Sequence, residues 1–506
     1  MDVLASLIAG FQTALQPAAL MYCFLGVFLG TFIGVLPGIG SLAAVSMLLP
    51  ITFYLDPTHA LIMLAGVYYG SEYGGSTASI LLNLPGTPSS AVTCLDGHPL
   101  AKQGRAGVAL FTTTVASFIG GSIGIVALIF FAPLLGNVAL AFGPADYFAL
   151  VVLGVIAAAA VAQGSLTKGI AMVVFGLMLG VIGTDIDTGL PRFTFGRAEL
   201  FDGISLVALA MGLFGVSEVI GSINTGRGGV LQGKVRLRSM VPTRDDVERS
   251  VKPILRGAGL GSFLGALPGT GQTVASFITY AVEKRTSREP ERFGRGAIEG
   301  IAGPESANNA AAQTAFVPTL TLGIPGSATM ALMLGALMIH GIAPGPTLIT
   351  NHPTLFWGLV ASFWIGNLIL LVLNIPLIGI WVRLLQVPYR FLYPAILCLI
   401  CIGVFAINGS TFDVGMVLLF GVIGYLMRLI GFEPAPLLIG FVLGPMLEEN
   451  FRRAMLLARG DFLAVVSRPI SGSLLLATLA LLAWAIYAHS RTRRQRMAEV
   501  QKQPAE

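Results

Sequence analysis

One unusual segment occurs twice in this chain, once in each half. Leu29–Gly40 has the sequence LGTFIGVLPGIG and Leu260–Gly271 has the sequence LGSFLGALPGTG, with eight identities in twelve positions at an offset of 231. Both copies lie in apolar surroundings, where Leu-Pro-Gly breaks a helix because proline lacks an amide donor and glycine frees the backbone. Inside a membrane such breaks persist only within protein or along a wet cavity, and paired breaks indicate a transporter's binding site.

The composition indicates a membrane protein. Of the 506 residues, 55% are hydrophobic and 11% are charged, whereas soluble proteins contain about 25% charged residues. We therefore predict an all-α polytopic protein in the lipid bilayer, with about 11 to 12 membrane segments. The net charge of +5 suggests basic cytoplasmic loops, and the sequence shows no solvated basic face that would bind nucleic acid.

Positive charge predicts which loops face the cytoplasm. The basic loops Asn224–Arg256 and Lys284–Arg295 flank the apolar segment Gly257–Val282. This segment should therefore enter the membrane from the cytoplasm and return there, as a re-entrant hairpin with its tip at residues 267–271. Each of its half-helices would have about ten residues and span about 15 Å.

The first copy has no such basic flanks. Neither Met1–Tyr22 nor Leu55–His59 contains a Lys or an Arg. The first hairpin, Gly26–Tyr54 with its tip at residues 36–40, should therefore enter from the outer face. Opposite charge at matching points of two similar halves predicts two inverted-topology repeats.

This topology divides the chain into four parts. They are a first repeat at 1–223, a basic cytoplasmic linker at 224–256, a second repeat at 257–468, and a C-terminal transmembrane helix with a basic cytoplasmic tail at 469–506. Further crossings are predicted at Gly107–Leu135, Asp146–Ala162, Gly169–Gly183, Gly203–Ile220, Thr354–Val382, Phe391–Ile407, Val414–Ile430 and Pro434–Met446. The topology of residues 434–470 stays open, because Arg452, Arg453, Arg459 and Arg468 would face outward.

Each half carries a second Pro-Gly break, preceded by an acidic residue. The breaks occur in LLNLPGTPSS and TLGIPGSATM, and the acidic residues are Glu72 and Glu305. Both acidic residues lie among small, polar residues of low helix propensity. A carboxylate in an apolar span is by default a functional candidate. Alternatively, each Glu only hydrogen-bonds to a neighbouring broken helix.

Broken helices supply ligands for ions and anions. Free N–H groups suit an anionic substrate, and free carbonyl groups suit Na⁺. The predicted substrate-binding residues are Pro37, Gly38, Gly40, Asn83, Pro85, Gly86, Thr87, Ser89, Pro268, Gly269, Gly271, Asn308, Asn309, Pro325, Gly326 and Ser327. The candidates for ion coupling are Glu72, Ser76, Glu305 and Asn308. Any one hydroxyl could instead bond back to its own helix.

The sequence shows no motif for catalysis or for ATP hydrolysis. It contains no G-x-x-x-x-G-K-[ST] sequence, no HExxH sequence, and no hydroxyl nucleophile with an evident histidine base. Cys398 and Cys401 have the spacing of metal ligands, but no second pair completes a structural metal site. We therefore predict that the protein is not an enzyme and holds no cofactor, with Na⁺ or H⁺ as its coupling ion.

An ordered series of segments resembles the TctA family, the large permease subunit of the tripartite tricarboxylate transporters. The series covers about Gly26 to Gly460, nearly the whole chain. Its main segments are GTFIGVLPGIG, EYGGSTASILLNLPGTPSSAVTCLDGHPLAKQG, GALPGTGQTVASFITY, PESANN, VPTLTLGIPGSATMALMLGALMIHGIAPGP and GFVLGPMLEENFRRAML.

The resemblance implies a secondary carrier of the bacterial inner membrane. Such a permease works with a small four-helix membrane subunit and a periplasmic solute-binding protein, and it imports carboxylates such as citrate by cation symport. We favour Na⁺ as the coupling ion because neutral oxygen ligands are abundant at the breaks. The alternatives are a stand-alone organic-anion carrier, a membrane-embedded enzyme and a channel.

Overall fold

The chain is almost entirely helical. The structure is a computed structural model that describes residues 3–161, 165–185, 188–222, 237–267, 270–385 and 389–500. Helices make up about 81% of these residues. The helices up to residue 222 are α1 (Val3–Ala14), α2 (Pro17–Val35), α3 (Gly40–Thr52), α4 (Pro57–Leu82), α5 (Thr93–Leu100), α6 (Ala106–Ala139), α7 (Pro144–Val161), α8 (Leu166–Gly180), α9 (Leu206–Ala210) and α10 (Ser217–Ser222).

The second part of the chain continues in the same way. Its helices are α11 (Arg244–Gly265), α12 (Gly271–Thr286), α13 (Glu299–Thr314), α14 (Phe316–Leu322), α15 (Ala328–Ile339), α16 (Leu348–Asn351), α17 (Pro353–Asn374), α18 (Ile378–Leu384), α19 (Tyr389–Asn408), α20 (Thr411–Leu429), α21 (Pro434–Leu457), α22 (Phe462–Val466) and α23 (Pro469–Val500). Two π-helical turns lie at Ala101–Arg105 and Met211–Val216. Short 3-10 turns lie at Pro88–Ala91, Ala198–Leu200, Leu237–Met240 and Pro290–Arg292. Strands β1 (Gly183–Thr184) and β2 (Pro191–Arg192) pair antiparallel.

Several helices are suited to a bilayer. In the described part of the chain, five helical segments are long and apolar enough to cross a membrane. They are Pro17–Val35, Thr93–Ala139, Pro353–Asn374, Thr411–Leu429 and Pro469–Tyr487. Other apolar helices have 10–17 residues. The predicted total of about 11 to 12 membrane segments would therefore have to include these shorter helices.

Each of the four predicted breaks separates two helices. The first hairpin tip lies between α2 and α3, and the second lies between α11 and α12. The other two breaks lie between α4 and the turn Pro88–Ala91, and between α14 and α15. Pro268 and Gly269, at the second hairpin tip, lie outside the described residues.

Four details differ from the sequence-based expectation. The half-helices α11 and α12 have 22 and 16 residues rather than about ten, because both continue into the basic flanks of the hairpin. The predicted crossing Thr354–Val382 is divided between α17 and α18, and the crossing that starts at Pro434 continues to Leu457. The stretches around Glu72 and Glu305 are helical despite their low helix propensity, because tertiary packing overrides that propensity.

The two halves use the same close helix crossing. A Cβ atom added to Gly30 of α2 would lie 2.4 Å from the carbonyl oxygen of Val67 in α4. A Cβ atom added to Gly261 of α11 would lie 2.2 Å from the carbonyl oxygen of Ala307 in α13. Residues of α2 therefore match residues of α11 at an offset of 231, and residues of α4 match residues of α13 at an offset of 240.

The chain forms two compact units. The first comprises Met1–Leu140 and Ser205–Tyr425, and the second comprises Ala141–Ile204 and Leu426–Glu506. Each unit therefore takes segments from both predicted repeats. In the first unit, α4 and α13 lie at the centre, and every residue of α13 from Gly300 to Thr314 is buried.

The second unit pairs Arg452 and Arg453, two of the four arginines that complicated the topology. Arg452 binds Asp185 at 2.8 Å and Glu448 at 2.6 Å, and Arg192 binds Glu448 at 2.6 Å. The neighbouring pair Arg453–Glu449 is also 2.6 Å apart. These arginines are therefore largely neutralised by local carboxylates, which weakens their value as markers of the cytoplasmic face.

Candidate functional site

In each half the hairpin tip meets that half's second break. The amide of Gly38 donates to the carbonyl oxygen of Pro85 at 3.4 Å. In the second half, a Cβ atom on Gly271 would lie 3.7 Å from the Cβ of Ser327. Gly38 and Gly271 have φ angles of 89° and 58°, a left-handed conformation that glycine adopts without steric cost. The four breaks thus form two pairs.

The first pair of breaks surrounds Glu72. This residue lies on α4 and is 1% exposed. Its Oε2 accepts hydrogen bonds from the hydroxyl of Thr87, at 3.1 Å, and from that of Ser89. Ser41, at the start of α3, lies beside the same carboxylate. We call Ser41, Glu72, Thr87 and Ser89 the first cluster.

The second buried carboxylate belongs to Glu305 of α13, which is also 1% exposed. Its Oε1 accepts a hydrogen bond from Thr93, and Ser117 lies beside it. Its Oε2 makes no hydrogen bond to any described residue. Asn309 donates to the Ser117 hydroxyl at 2.8 Å, while its own Oδ1 has no described partner.

The two carboxylates come together although they lie 233 residues apart. The charge of Glu72 acts on Glu305, and Asn308 lies beside both carboxylates. Asn308 is 1% exposed, yet neither its Oδ1 nor its Nδ2 forms a hydrogen bond with the described residues. Buried polar groups normally have partners, so an unpaired amide between two carboxylates indicates a place for a ligand.

The second pair of breaks surrounds a hydroxyl rather than a carboxylate. Tyr68 of α4 is fully buried, and its ring packs edge-on against that of Phe316, with the two ring centroids 6.1 Å apart. Gln272, at the start of α12, and Ser327, at the start of α15, lie beside its hydroxyl. That hydroxyl makes no direct hydrogen bond within the described residues. We call Tyr68, Gln272 and Ser327 the second cluster.

A network outside the clusters fixes the second hairpin. Asp96 of α5 is fully buried, and its Oδ1 accepts the backbone amides of Gly294, Gly296 and Ala297, each at 2.8 Å. Its Oδ2 accepts the hydroxyl of Tyr280 at 2.9 Å. Since Tyr280 lies on α12 and the three amides lie between α12 and α13, Asp96 sets the position from which α13 carries Glu305 into the site.

The predicted site residues do not all contribute in the same way. Thr87, Ser89, Asn308, Ser327 and the two carboxylates belong to the region described above. Asn83 is exposed and ends α4 in a left-handed conformation, with a φ of 57°. The hydroxyl of Ser76 donates to the carbonyl oxygen of Tyr73 at 2.9 Å, which is the alternative bonding within its own helix.

Sequence reasoning missed three residues of the two clusters, namely Ser41, Tyr68 and Gln272. The first and third occupy the same position after the two hairpin tips, so alignment of the repeats could have found them. Tyr68 has no such signal, because a tyrosine in an apolar helix is usually a core residue. No group of three or more His, Cys, Asp or Glu residues that could hold a metal ion occurs within the described ranges.

Comparisons with known proteins identify the family. The family model described as "Tripartite tricarboxylate transporter TctA family" matches residues 20–439. The chain belongs to the TctA family. TctA is a transporter family rather than an enzyme family, and with its long apolar helices this TctA chain is a multi-pass membrane protein of transport.

Two relatives come from Agrobacterium vitis. An "uncharacterized 52.8 kDa protein in TAR-I ttuC' 3'region" is 51% identical over 497 residues, which cover 98% of this TctA chain and 99% of the relative. An "uncharacterized protein in TAR-II ttuC' 3'region" is 54% identical over 237 residues, 47% of this chain and 98% of the relative. No solved structure matches this chain.

Proposed function

We propose that this protein is the permease subunit of a binding-protein-dependent secondary transporter that imports carboxylates by cation symport, with Na⁺ as the coupling ion. The substrate class is a tricarboxylate or a related organic acid. The partners would be a small four-helix membrane subunit and a periplasmic solute-binding protein. Membership of the TctA family supports this assignment, since TctA is the large subunit of such tripartite systems.

The observation that carries the proposal is the meeting of Glu72 and Glu305 beside the unpaired amide of Asn308. The hydrogen-bonding side chains beside the two carboxylates belong to Ser, Thr and Asn residues. Two buried carboxylates without a basic partner carry a large desolvation cost unless a cation or a proton accompanies them. A cation bound there would offset that cost and would also favour the approach of an anionic substrate.

Sodium suits these ligands better than a proton does. Carboxylate, hydroxyl and amide oxygens are the ligands that hard cations prefer, commonly about six of them. The first cluster, Glu305 and Asn308 together offer such oxygens within one buried region. Proton transfer would need the carboxylates alone.

The inverted arrangement of the two repeats in the bacterial inner membrane is part of the proposal. Loops that the charge pattern assigns to the same face contact each other within each compact unit. These contacts are Arg105–Asp246 and Lys168–Ile430 on the predicted inner side, and Tyr54–Ala406 and Asp185–Arg452 on the predicted outer side. The basic tail after α23 would then lie in the cytoplasm.

Uptake measurements test the proposal. Cells that express the permease with its neighbouring subunits would be offered a panel of labelled mono-, di- and tricarboxylates, with and without Na⁺. Import of at least one di- or tricarboxylate should require Na⁺, and Glu72→Gln and Glu305→Gln should each reduce it at least about tenfold, since each removes a charged ligand. Glu289→Gln, which changes a surface glutamate, is the matched control.

Two results would contradict the proposal. If the wild-type protein imports no member of the panel, carboxylate transport is wrong. If uptake is indifferent to Na⁺ but is lost in either Gln variant, the coupling ion is the proton.

A further inference from the structure

The two clusters are built from matching positions of the two halves. Ser41 and Gln272 are separated by 231 residues, and Thr87 and Ser327 by 240 residues, which are the same offsets as those of the helix crossings. Ser41 and Thr87 lie beside Glu72, whereas Gln272 and Ser327 lie beside Tyr68. The same arrangement of hairpin tip and second break therefore forms one cluster in each half of the chain.

Each cluster also meets a side chain of the opposite half. Asn308, from the second half, lies beside Glu72, and Tyr68, from the first half, completes the second cluster. The offset of 240 makes Tyr68 and Asn308 equivalent positions of α4 and α13. Each half therefore contributes one side chain to the cluster of the other half. Both of these side chains, Tyr68 and Asn308, are buried without a described hydrogen-bond partner.

The clusters differ in charge. The position equivalent to Glu72 is Ala312, because each lies 13 residues before its Pro-Gly break. Ala312 is fully buried and brings no carboxylate to the second cluster. The second cluster instead offers the hydroxyl of Tyr68, the amide of Gln272, and the N-terminal ends of α12 and α15, where the helix dipole favours negative charge.

The geometry points to separate binding sites for the cation and the substrate, an assignment that rests on the proposed function. The first cluster, with Glu305 and Asn308, binds the coupling cation, and the second cluster binds a carboxylate group of the substrate. In this assignment the hydroxyl of Tyr68 donates a hydrogen bond to a carboxylate oxygen of the substrate. The Gln272 side-chain amide donates a second hydrogen bond, and no side chain with a positive charge is required.

Electrostatics favours this separation of the cation site from the substrate site. A substrate anion placed beside Glu72 and Glu305 would add a third negative charge to a buried region, which is strongly unfavourable in a medium of low dielectric constant. The second cluster has no carboxylate of its own, and a cation bound at Glu72 would offset the charge with which Glu72 acts on Tyr68. Tyr68 and Glu72 lie one helical turn apart on α4, so a cation held by Glu72 would still attract the substrate.

Paired kinetic measurements separate the two clusters. The probe is the carboxylate of the panel that the wild-type protein imports. Tyr68→Phe removes one hydroxyl but retains the ring that contacts Phe316. It should raise the KM for the carboxylate about tenfold, because a hydrogen bond to a charged group is lost, and leave the Na⁺ concentration for half-maximal uptake unchanged. Ser89→Ala should raise that Na⁺ concentration several-fold.

Gln272→Leu is the second test of the substrate side and guards against a folding defect in a single variant. It should also raise the KM for the carboxylate without a change in Na⁺ dependence. An unchanged KM in both Tyr68→Phe and Gln272→Leu would overturn the assignment, as would a shift in Na⁺ dependence without a shift in KM. Both results differ from a failure of carboxylate transport itself, which the wild-type protein alone would reveal.

Discussion

In the proposed assignment, the two clusters use one backbone arrangement to bind ligands of opposite charge. Both are formed by a hairpin tip, a second Pro-Gly break and one side chain from the other half. At equivalent positions, however, the first cluster has the carboxylate of Glu72 and the second has the methyl group of Ala312. In this assignment the backbone defines where the two ligands bind, and the side chain at this one position determines which charge can be held there.

The largest expected effect comes from removal of this difference. Ala312→Glu would place a third carboxylate in the buried region and should reduce carboxylate uptake about hundredfold or more, because an unpaired buried charge costs several kcal/mol (roughly). The measurement is the uptake rate in cells at matched protein levels in the membrane. Ala312→Gln has nearly the same volume without the charge and separates electrostatic from steric effects. Equal losses in both variants would contradict the electrostatic explanation.

A second prediction concerns a feature in which the halves should not differ. Gly30→Ala and Gly261→Ala should both destabilise the protein by about 1–3 kcal/mol, since the added methyl group would overlap a carbonyl oxygen of the crossing helix. Melting of the purified protein in detergent measures the effect. Gly259→Ala, also on α11, is the control, because a Cβ atom there meets nothing within 4 Å. A loss of stability from only one of Gly30 and Gly261 would indicate that the crossings are not equivalent.

The smallest expected effect concerns how the hairpins are attached. Asp246, in the first turn of α11, leads into the second hairpin and accepts two hydrogen bonds from Arg105, at 2.6 Å and 2.7 Å. Burial alone would raise the pKa of Asp246, but hydrogen bonds from Arg105 and Thr243 outweigh it and hold the pKa below the ordinary value of 3.8. The stability from this pair is therefore fully present above that value and is lost as the pH falls through the lowered pKa.

Asp246→Asn should accordingly lower the stability at neutral pH by about 1–2 kcal/mol and weaken the further loss of stability on acidification below about pH 4. Melting temperature as a function of pH provides the measurement. The first hairpin offers a contrast, because at its C-terminal end the hydroxyl of Tyr54 donates a hydrogen bond to the carbonyl oxygen of Ala406. Tyr54→Phe should therefore leave the acid dependence unchanged. Identical pH profiles for wild type and Asp246→Asn would contradict the role of the ion pair.

Much of this architecture could be predicted from the sequence. The Leu-Pro-Gly repeats and the two other Pro-Gly sites predicted four helix breaks, and the structure has a break at each. Glu72, Glu305 and Asn308 were candidates because buried polar groups in apolar spans are costly and usually mark functional sites. The pairing of Glu72 with Glu305 could not be predicted, because they occupy different positions of their repeats and meet only through the packing of α4 and α13.

Two further features depend on tertiary packing. The acidic stretches are helical because close glycine crossings bury them, which local propensity does not reveal. The outer arginines of α21 are paired with carboxylates such as Asp185, which lies more than 260 residues away in the sequence. Charge counting treats those arginines as free, and it therefore could not assign the topology of residues 434–470.

The equivalence of the two clusters depends most directly on the inverted arrangement of the hairpins. Its test is the labelling of single cysteines at His59, next to the first hairpin, and at exposed Arg288, next to the second, in a background without the four native cysteines. A membrane-impermeant maleimide should label His59→Cys from the outer face of intact cells, and it should label Arg288→Cys only after the cytoplasmic face is opened. Labelling of both cysteines from the same face would contradict the inverted repeats and the matching of the two clusters.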